Sequence, residues 1–476
     1  MVWPQPPRRW LSSSWGVALL LGLLSAVLRL PLALTSPLWQ DEAASARILN
    51  EPTLLGAVRH VVRTESTPPL WYAVGWLVHR AGVAVYDVRL LSVAENFLLV
   101  VLVVLIASRL VALRFAVFAG LLVAYGAEFA AQGRWIRAYE LFALLAAALV
   151  FAVYSAAIAP TPWPLVRLAA VVAAGSLTHY FFLFTVAAAA AWLWFDPDAR
   201  ASRRRTLAAA AVGLIPFALW SPFFWTQLRA RRYSWIGGFD WREVVETPLR
   251  LFTPYGSGAV LAAGATVALV LSAWGAAQLW RRGPFGRLCV WLGAAPLIFA
   301  AAVWETGIRV YAVRNMIGVG PFLAVAAAAG IAALPRRAKA LVPVVILSLV
   351  VGSFAWSQRL HGPAFDRIAH ALVAEGWQAG DAVVVYGRRT EFRAPLAWYL
   401  PGHPTLVSTG VRRLRSPVFV VGGSRVLGAR KLHAGSRRVS NMIVARLGAV
   451  NDLDAGQGAS VFISARASNR SAAERP

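Results

Sequence analysis

The sequence predicts an all-α polytopic membrane protein of about 11 transmembrane helices, with interfacial helices in its first outside loop and a small C-terminal α/β extracytoplasmic domain. Three observations predict it. Hydrophobic residues fill 59% of the 476 positions and charged residues only 14%, with a mean hydropathy of +0.60. A soluble domain holds roughly 45–50% apolar and about 25% charged residues. Apolar runs of about 20 residues recur, separated by arginine clusters, which is the pattern of helical spans rather than of a β-barrel. After about residue 358 the composition returns to that of a soluble domain. A cytosolic enzyme and a disordered chain are excluded.

The charge balance is 47 basic against 21 acidic residues, a net +26, and every basic residue except Lys339 and Lys431 is arginine. Such an excess suggests nucleic acid. Most of the arginines, however, stand at the ends of apolar runs, where loop orientation and anionic headgroups account for them, so no nucleic-acid partner is expected. The one cysteine, Cys289, lies in an apolar stretch and excludes an intrachain disulfide framework. Arg8 and Arg9 precede an apolar run from Trp15 to about Leu34 that resembles a signal peptide. It is too long and has no small-x-small cleavage site, which predicts a retained first span.

In order, the spans are expected near 16–34, 88–107, 115–131, 139–159, 164–178, 180–195, 207–225, 258–280, 288–304, 315–334 and 340–357. With the N-terminus cytoplasmic, the inside loops carry Arg8, Arg9, Arg109, Arg114, Arg167, Arg200, Arg203 to Arg205, Arg281, Arg282, Arg287, Arg336, Arg337 and Lys339, against Asp196 and Asp198 alone. Every inside loop is basic, as the positive-inside rule requires. The first outside loop, residues 35–87, holds two amphipathic stretches. One starts at Asp41-Glu42-Ala43-Ala44; the other follows Ser66-Thr67-Pro68-Pro69, where Ser66 or Thr67 is expected to cap. Two short helices should meet at Thr178-His179-Tyr180, with His179 at the outer end. A second outside loop, 226–257, mixes charge with aromatics.

Beyond the spans, Phe365 to Glu375 and Phe392 to Leu400 read as helices, and Asp381 to Tyr386 and Pro417 to Val421 as strands. The expected domains are therefore 1–357 in the membrane, 358–464 outside it, and a disordered tail at 465–476. No internal repeat and no glycine-rich phosphate loop is present.

Charge within a span costs roughly 2.5–3.5 kcal/mol at the bilayer centre, so buried charges call for partners and outside arginines for a reason. Asp41 and Glu42 follow the first span; N-terminal acids also serve simply as caps and dipole partners. Arg134 and Arg137, three residues apart at an expected helix start, would share a face able to grip one phosphate. The alternative is headgroup anchoring or ion pairs with Glu128 and Glu140. His179 with Tyr180, and Arg309, Tyr311 and Arg314 before the tenth span, complete the outside polar set. Arg29, Glu95 and Asn96 lie within the first two spans, paired with one another or lining a cavity. An anionic ligand at the outer face would account for all the outside arginines at once.

These residues resemble the GT-C polyprenyl-phosphate-dependent glycosyltransferases, the superfamily of protein O-mannosyltransferases and bacterial aminoarabinose transferases, and within it bacterial family 39. The matching pieces follow the family's order over about residues 16–334: Leu38-Trp39-Gln40-Asp41-Glu42-Ala43, Thr67-Pro68-Pro69-Leu70-Trp71-Tyr72, Arg89-Leu90-Leu91-Ser92, Arg134 to Tyr139, Thr178-His179-Tyr180-Phe181, and Arg314-Asn315-Met316 leading to Pro321. Each falls on the side that the charge rule assigns independently. The chain departs at Trp135, where many relatives carry Glu, and at Glu95-Asn96, where small apolar residues are usual.

The resemblance implies a multi-pass enzyme of the inner or plasma membrane that takes one sugar, mannose-like or other, from a polyprenyl phosphate and gives it to a hydroxyl of a glycan, lipid or protein at the outer face, with inversion. In that chemistry Asp41 is the candidate general base, with Glu42 orienting it or the sugar. Arg134, Arg137 and Arg314, with Arg309, are candidates to hold the departing phosphate, and Tyr139, His179 and Tyr180 to hydrogen-bond around it. Beyond the lipid-linked sugar donor no cofactor is assigned, and a divalent metal is left open. Asp41, Glu42 and His179 offer no spacing diagnostic of a divalent metal. A lipid-linked-sugar transporter or flippase, and an O-antigen ligase or polymerase with a diphosphate donor, are the competing readings; a transporter predicts repeats that the sequence lacks.

Overall fold

The computed structural model describes residues 8–231, 236, 240–253, 258–308, 310–359, 365–378, 381–386 and 393–400, and the strand segments 406–408, 418–423, 437–439, 442–447 and 459–464. The expected tail, 465–476, lies outside them. The chain forms two compact units, one of residues 1–34 and 48–359, the other of residues 35–47 and 360–476.

The protein is a mostly helical polytopic membrane protein. Its helices are α1 Arg8–Thr35, α2 Gln40–Leu49, α3 Leu54–Thr64, α4 Leu70–Arg80, α5 Arg89–Ser108, α6 Leu113–Tyr125, α7 Ala127–Gln132, α8 Tyr139–Ile158, α9 Pro162–Ser176 and α10 Phe182–Phe195. There follow α11 Arg203–Gly213, α12 Ile215–Arg229, α13 Trp241–Arg250, α14 Gly258–Trp280, α15 Gly283–Glu305, α16 Gly320–Ala332, α17 Arg336–Arg359, α18 Phe365–Ala374 and α19 Arg393–Tyr399. All eleven expected apolar runs are helical, with breaks. Among the described residues, six helices are long and apolar enough to cross a membrane, and a seventh if α11 and α12, bent by 46°, make one span. The third run is cut at Gly126, whose extended backbone (φ −56°, ψ 142°) ends α6 after 13 residues, about 20 Å. The first amides of α7 then donate to the carbonyls of Phe252 and Leu251, at 3.3 and 3.2 Å, instead of to the preceding turn.

Packing in the larger unit depends on small residues, as expected where lipid gives helices no hydrophobic reason to associate. α16 is buried along most of its length between its neighbours. It touches α14 so closely that a Cβ at Gly275 would stand 1.8 Å from the Ala326 carbonyl oxygen. The two acids of the turn after α10 find one partner: Arg287 grips Asp196 through Nε (2.5 Å) and Nη2 (3.0 Å) and reaches Asp198 at 2.6 Å. This clamp ties the start of α15 to the turn after α10.

The first loop departs from expectation twice. It holds three helices, since α3 stands between the two stretches read from the sequence. And neither Ser66 nor Thr67 caps α4: Pro69 is the N-cap residue and no side chain bonds there. Pro68 and Pro69 lack the N–H groups that a cap at Ser66 would bond, and the residue before a proline is pushed to extended backbone. The Leu70 amide donates instead to the Leu177 carbonyl at 2.9 Å, joining the Pro-Pro turn to the turn that carries His179.

The smaller unit is built around a six-stranded sheet of β1 Ala382–Tyr386, β2 Leu406–Ser408, β3 Val418–Gly423, β4 Arg437–Val439, β5 Met442–Leu447 and β6 Ala459–Ser464, in the order β2-β6-β1-β3-β5-β4. β1 and β3 are parallel, with Ala382 opposite Val418; the other pairs are antiparallel. Phe365, Ile368 and Leu372 of α18 and Leu396 of α19 are buried with Val383, Phe419 and Val421. Residues 35–47 belong to this unit, and the Leu38 amide donates to the Tyr399 hydroxyl at 2.6 Å.

Candidate functional site

In the larger unit the polar residues gather around the segment from Gly126 to Tyr139. Arg134 and Arg137 are not on a helix face: they stand in an irregular turn held by Arg134 N to Ala131 O (3.3 Å) and Arg137 N to Trp135 O (2.8 Å), and α8 begins only at Tyr139. Gly133 and the short α7 stop the helix before it reaches the arginines.

Arg137 is buried, and its Nη1 donates to Glu65 Oε2 at 3.1 Å and to the Tyr72 hydroxyl at 3.2 Å. The partner of Arg137 is therefore Glu65 rather than Glu128 or Glu140. Glu140 accepts from Asn96 at 2.6 Å, and Glu128 lies beside Gln132 at 3.5 Å. Burial raises the Tyr72 phenol above its ordinary value, so it stays a neutral hydroxyl beside the arginine.

Tyr139 is the hub. The guanidinium carbons of Arg137 and Arg314 both lie 5.9 Å from its ring centre, and the His179 ring centre lies 5.2 Å away. Arg314 is carried by a 3-10 turn, Val313–Val319, that packs on α8, where a Cβ at Gly318 would strike the Phe142 ring at 2.4 Å. The same Phe142 ring stacks on His179, 4.8 Å between centres at 8°. His179 Nδ1 accepts the Phe181 amide at 3.3 Å, which assigns the ring proton to Nε2. Burial pushes His179 down to about 3, with Arg137 and Arg314 adding to the shift. It is a neutral hydrogen-bond donor at neutral pH, not a base.

Tyr180 is directed differently. Its hydroxyl bonds Gln227, accepts from Trp220 Nε1 at 3.0 Å, and so belongs with α12; Gln227 in turn donates to the carbonyls of Val61 (3.1 Å) and Thr67 (3.3 Å). Tyr311 is buried and shares a 2.8 Å hydrogen bond with Thr247. Arg309 lies outside the described residues. Arg29 and Asn96 join one buried chain through Ser25, whereas Glu95 accepts from Trp71 Nε1 at 3.1 Å.

In the smaller unit, Asp41 and Glu42 occupy the first turn of α2. Glu42 is buried and its Oε2 is 3.4 Å from the Trp39 amide, the reach-back of a capping acid. Asp41 is half-buried, and its backbone carbonyl takes the Ser45 hydroxyl at 3.0 Å. Among the described residues no three His, Cys, Asp or Glu side chains come together as a metal site would require.

Two members of this arrangement escape sequence reasoning. Glu65 is an isolated acid before the Pro-Pro turn, and the available signal was that an outside arginine needs an anion. Phe142 reads as an ordinary core residue of a span.

No protein-family model and no curated protein matches the chain. Among solved structures, the chain is similar to ArnT from Cupriavidus metallidurans in the apo state, at 13% identity over 92% of this chain and 97% of that one, with a TM-score of 0.53. It is similar also to the same protein bound to undecaprenyl phosphate, at 13% identity over 93% and 98%, with a TM-score of 0.50. The likeness establishes a shared fold across nearly the whole of both chains.

Proposed function

We propose that this protein is a membrane glycosyltransferase that moves a single sugar from a polyprenyl-phosphate donor to a hydroxyl acceptor at the outer face of the membrane, with inversion. The observation that carries the reading is the gathering of Arg314 and neutral His179 around Tyr139, beside the turn that bears Arg134, in a fold shared with a protein that binds undecaprenyl phosphate. Arginines facing outward are disfavoured by the topology rule, and a lipid-borne phosphate is an anion that reaches them there.

In the reaction the acceptor oxygen forms a bond to the anomeric carbon from the face opposite the phosphate. The carbon–oxygen bond to the phosphate breaks, its electron pair leaving with the polyprenyl phosphate, and the acceptor's proton passes to a carboxylate. Asp41 is assigned that proton. Glu42 keeps a supporting role, as it already bonds the start of its own helix. Arg134 and Arg314 stabilise the charge that develops on the leaving phosphate; Arg137 holds the turn, and His179 offers Nε2–H as a donor. Tyr180 supports the turn through Gln227.

The reading carries an arrangement with it: about 11 spans in a catalytic domain of residues 1–357, a cytoplasmic N-terminus, and an outer α/β domain of 358–464. The test is binding of undecaprenyl phosphate against undecaprenyl diphosphate by the purified full chain in nanodiscs. Preference for the monophosphate supports the reading. Preference for the diphosphate supports a ligase or polymerase, and transport of a lipid-linked sugar with no covalent product supports a flippase.

A further inference from the structure

Four buried polar side chains that the proposed reaction does not use form one chain through the larger unit. Arg29 on α1 donates from Nη1 to the Ser25 hydroxyl at 2.5 Å and from Nη2 to the Ala124 carbonyl, at the end of α6, at 2.6 Å. Ser25 donates onward to Asn96 Oδ1 at 2.7 Å, and Asn96 Nδ2 donates to Glu140 Oε1 at 2.6 Å. Each of the four is at most 1% exposed. Donors and acceptors run in one direction from guanidinium to carboxylate, so each neutral link is oriented by a charge at its end.

The chain brackets the arginine-bearing segment. Ala124 lies just before Gly126, and Glu140 just after Ala138. Between them, Gly133 rests on the chain itself: a Cβ there would stand 2.9 Å from Arg29 Nε and 3.1 Å from Asn96 Cβ. One turn before Asn96, the Ser92 hydroxyl donates to the Trp135 carbonyl at 2.7 Å. The backbone is thus held on both sides of Arg134, at positions 133 and 135.

We propose that Arg29, Ser25, Asn96 and Glu140, together with Ser92, are a positioning network that fixes the Gly133–Trp135 backbone and thereby the reach of Arg134 to the donor phosphate. This rests on the polyprenyl-phosphate reading. A buried guanidinium and carboxyl group linked through neutral groups inside a bundle of spans are costly to assemble, and the turn they brace is the irregular segment where Arg134 and Arg137 stand. Glu140 and Arg29 are therefore positioning residues, not phosphate ligands.

The test uses the full chain in nanodiscs, with undecaprenyl phosphate as probe. Ser92→Ala removes one neutral hydrogen bond and is the mild variant; Asn96→Leu interrupts the chain. Each is expected to weaken undecaprenyl phosphate binding about three- to tenfold, the effect of one hydrogen bond, and Ser92→Thr to restore it. In an Arg134→Ala background Ser92→Ala should change binding less than about twofold, since the group it positions is gone. Unchanged binding in Ser92→Ala, or an equal loss with and without Arg134, overturns the proposal. A wild-type chain that binds no undecaprenyl phosphate overturns the underlying reading before any variant is compared.

Discussion

Arg137 and Glu65, 72 positions apart in the chain, meet at 3.1 Å with both side chains less than a tenth exposed. The pair fastens the arginine turn to the segment that leads into α4, and Tyr72 on α4 accepts from the same guanidinium nitrogen. An arginine read from sequence as a phosphate ligand is thereby a structural cation first.

Removing one partner of a buried pair leaves the other charge without compensation, a loss of about 3–5 kcal/mol. Glu65→Leu is therefore expected to lower the thermal midpoint in detergent markedly. Glu65→Leu with Arg137→Met should recover much of it. A double variant no more stable than Glu65→Leu would show that the pair is not what the turn depends on.

Arg314 and Arg134 carry the phosphate in this account. Replacing either by Ala should weaken undecaprenyl phosphate binding by about tenfold or more, the scale of a charge-assisted hydrogen bond at about 1.5–3 kcal/mol. Titration by a fluorescent polyprenyl phosphate measures it.

His179 is held near 3 by burial, below its ordinary 6.5, so it is neutral in the folded protein at neutral pH. As pH falls below about 6.5 the unfolded chain takes up this proton first. The stability contributed by neutral His179 is complete above about 6.5 and is lost progressively toward pH 3. Thermal midpoints of His179→Gln should fall less steeply than those of the wild type across that window. Transfer activity at neutral pH should show no inflection that disappears with the histidine.

Orientation is testable through the one native thiol. With Cys289 replaced by Ala, a cysteine placed at the exposed Ala81 is expected to react with an impermeant maleimide added to intact cells, and one at the exposed Ala201 only after permeabilisation. The reverse pattern would invert the proposed topology.

Much of the helical layout was legible because apolar length is a strong signal in a membrane. The helix of α8, Tyr139–Ile158, ends within a residue of the expected run. Where the reading erred, a local residue overrode the pattern. Gly126 cut the third span, the prolines at 68 and 69 removed the amides a cap would have used, and Gly133 put Arg134 and Arg137 in a turn. α3 was missed because Leu54 to Thr64 alternates charge and apolar residues too briefly to stand out. Of the candidate residues, Tyr139, His179 and Arg314 lie together, while Tyr180 bonds Gln227 and Trp220 of α12. The partners Glu65 and Phe142 were not legible, since contacts across 72 and 37 positions leave no local trace.

The central claim is transfer by a carboxylate-assisted displacement, and mass spectrometry of cell-envelope glycans tests it whatever the sugar and the acceptor are. Cells lacking the gene are compared with cells carrying the wild type or Asp41→Asn at equal membrane levels. One sugar should vanish from an envelope glycan, lipid or protein without the gene, return with the wild type, and stay absent with Asp41→Asn, whose undecaprenyl phosphate binding is intact. Envelopes indistinguishable in all three strains, or full restoration by Asp41→Asn, would contradict the account.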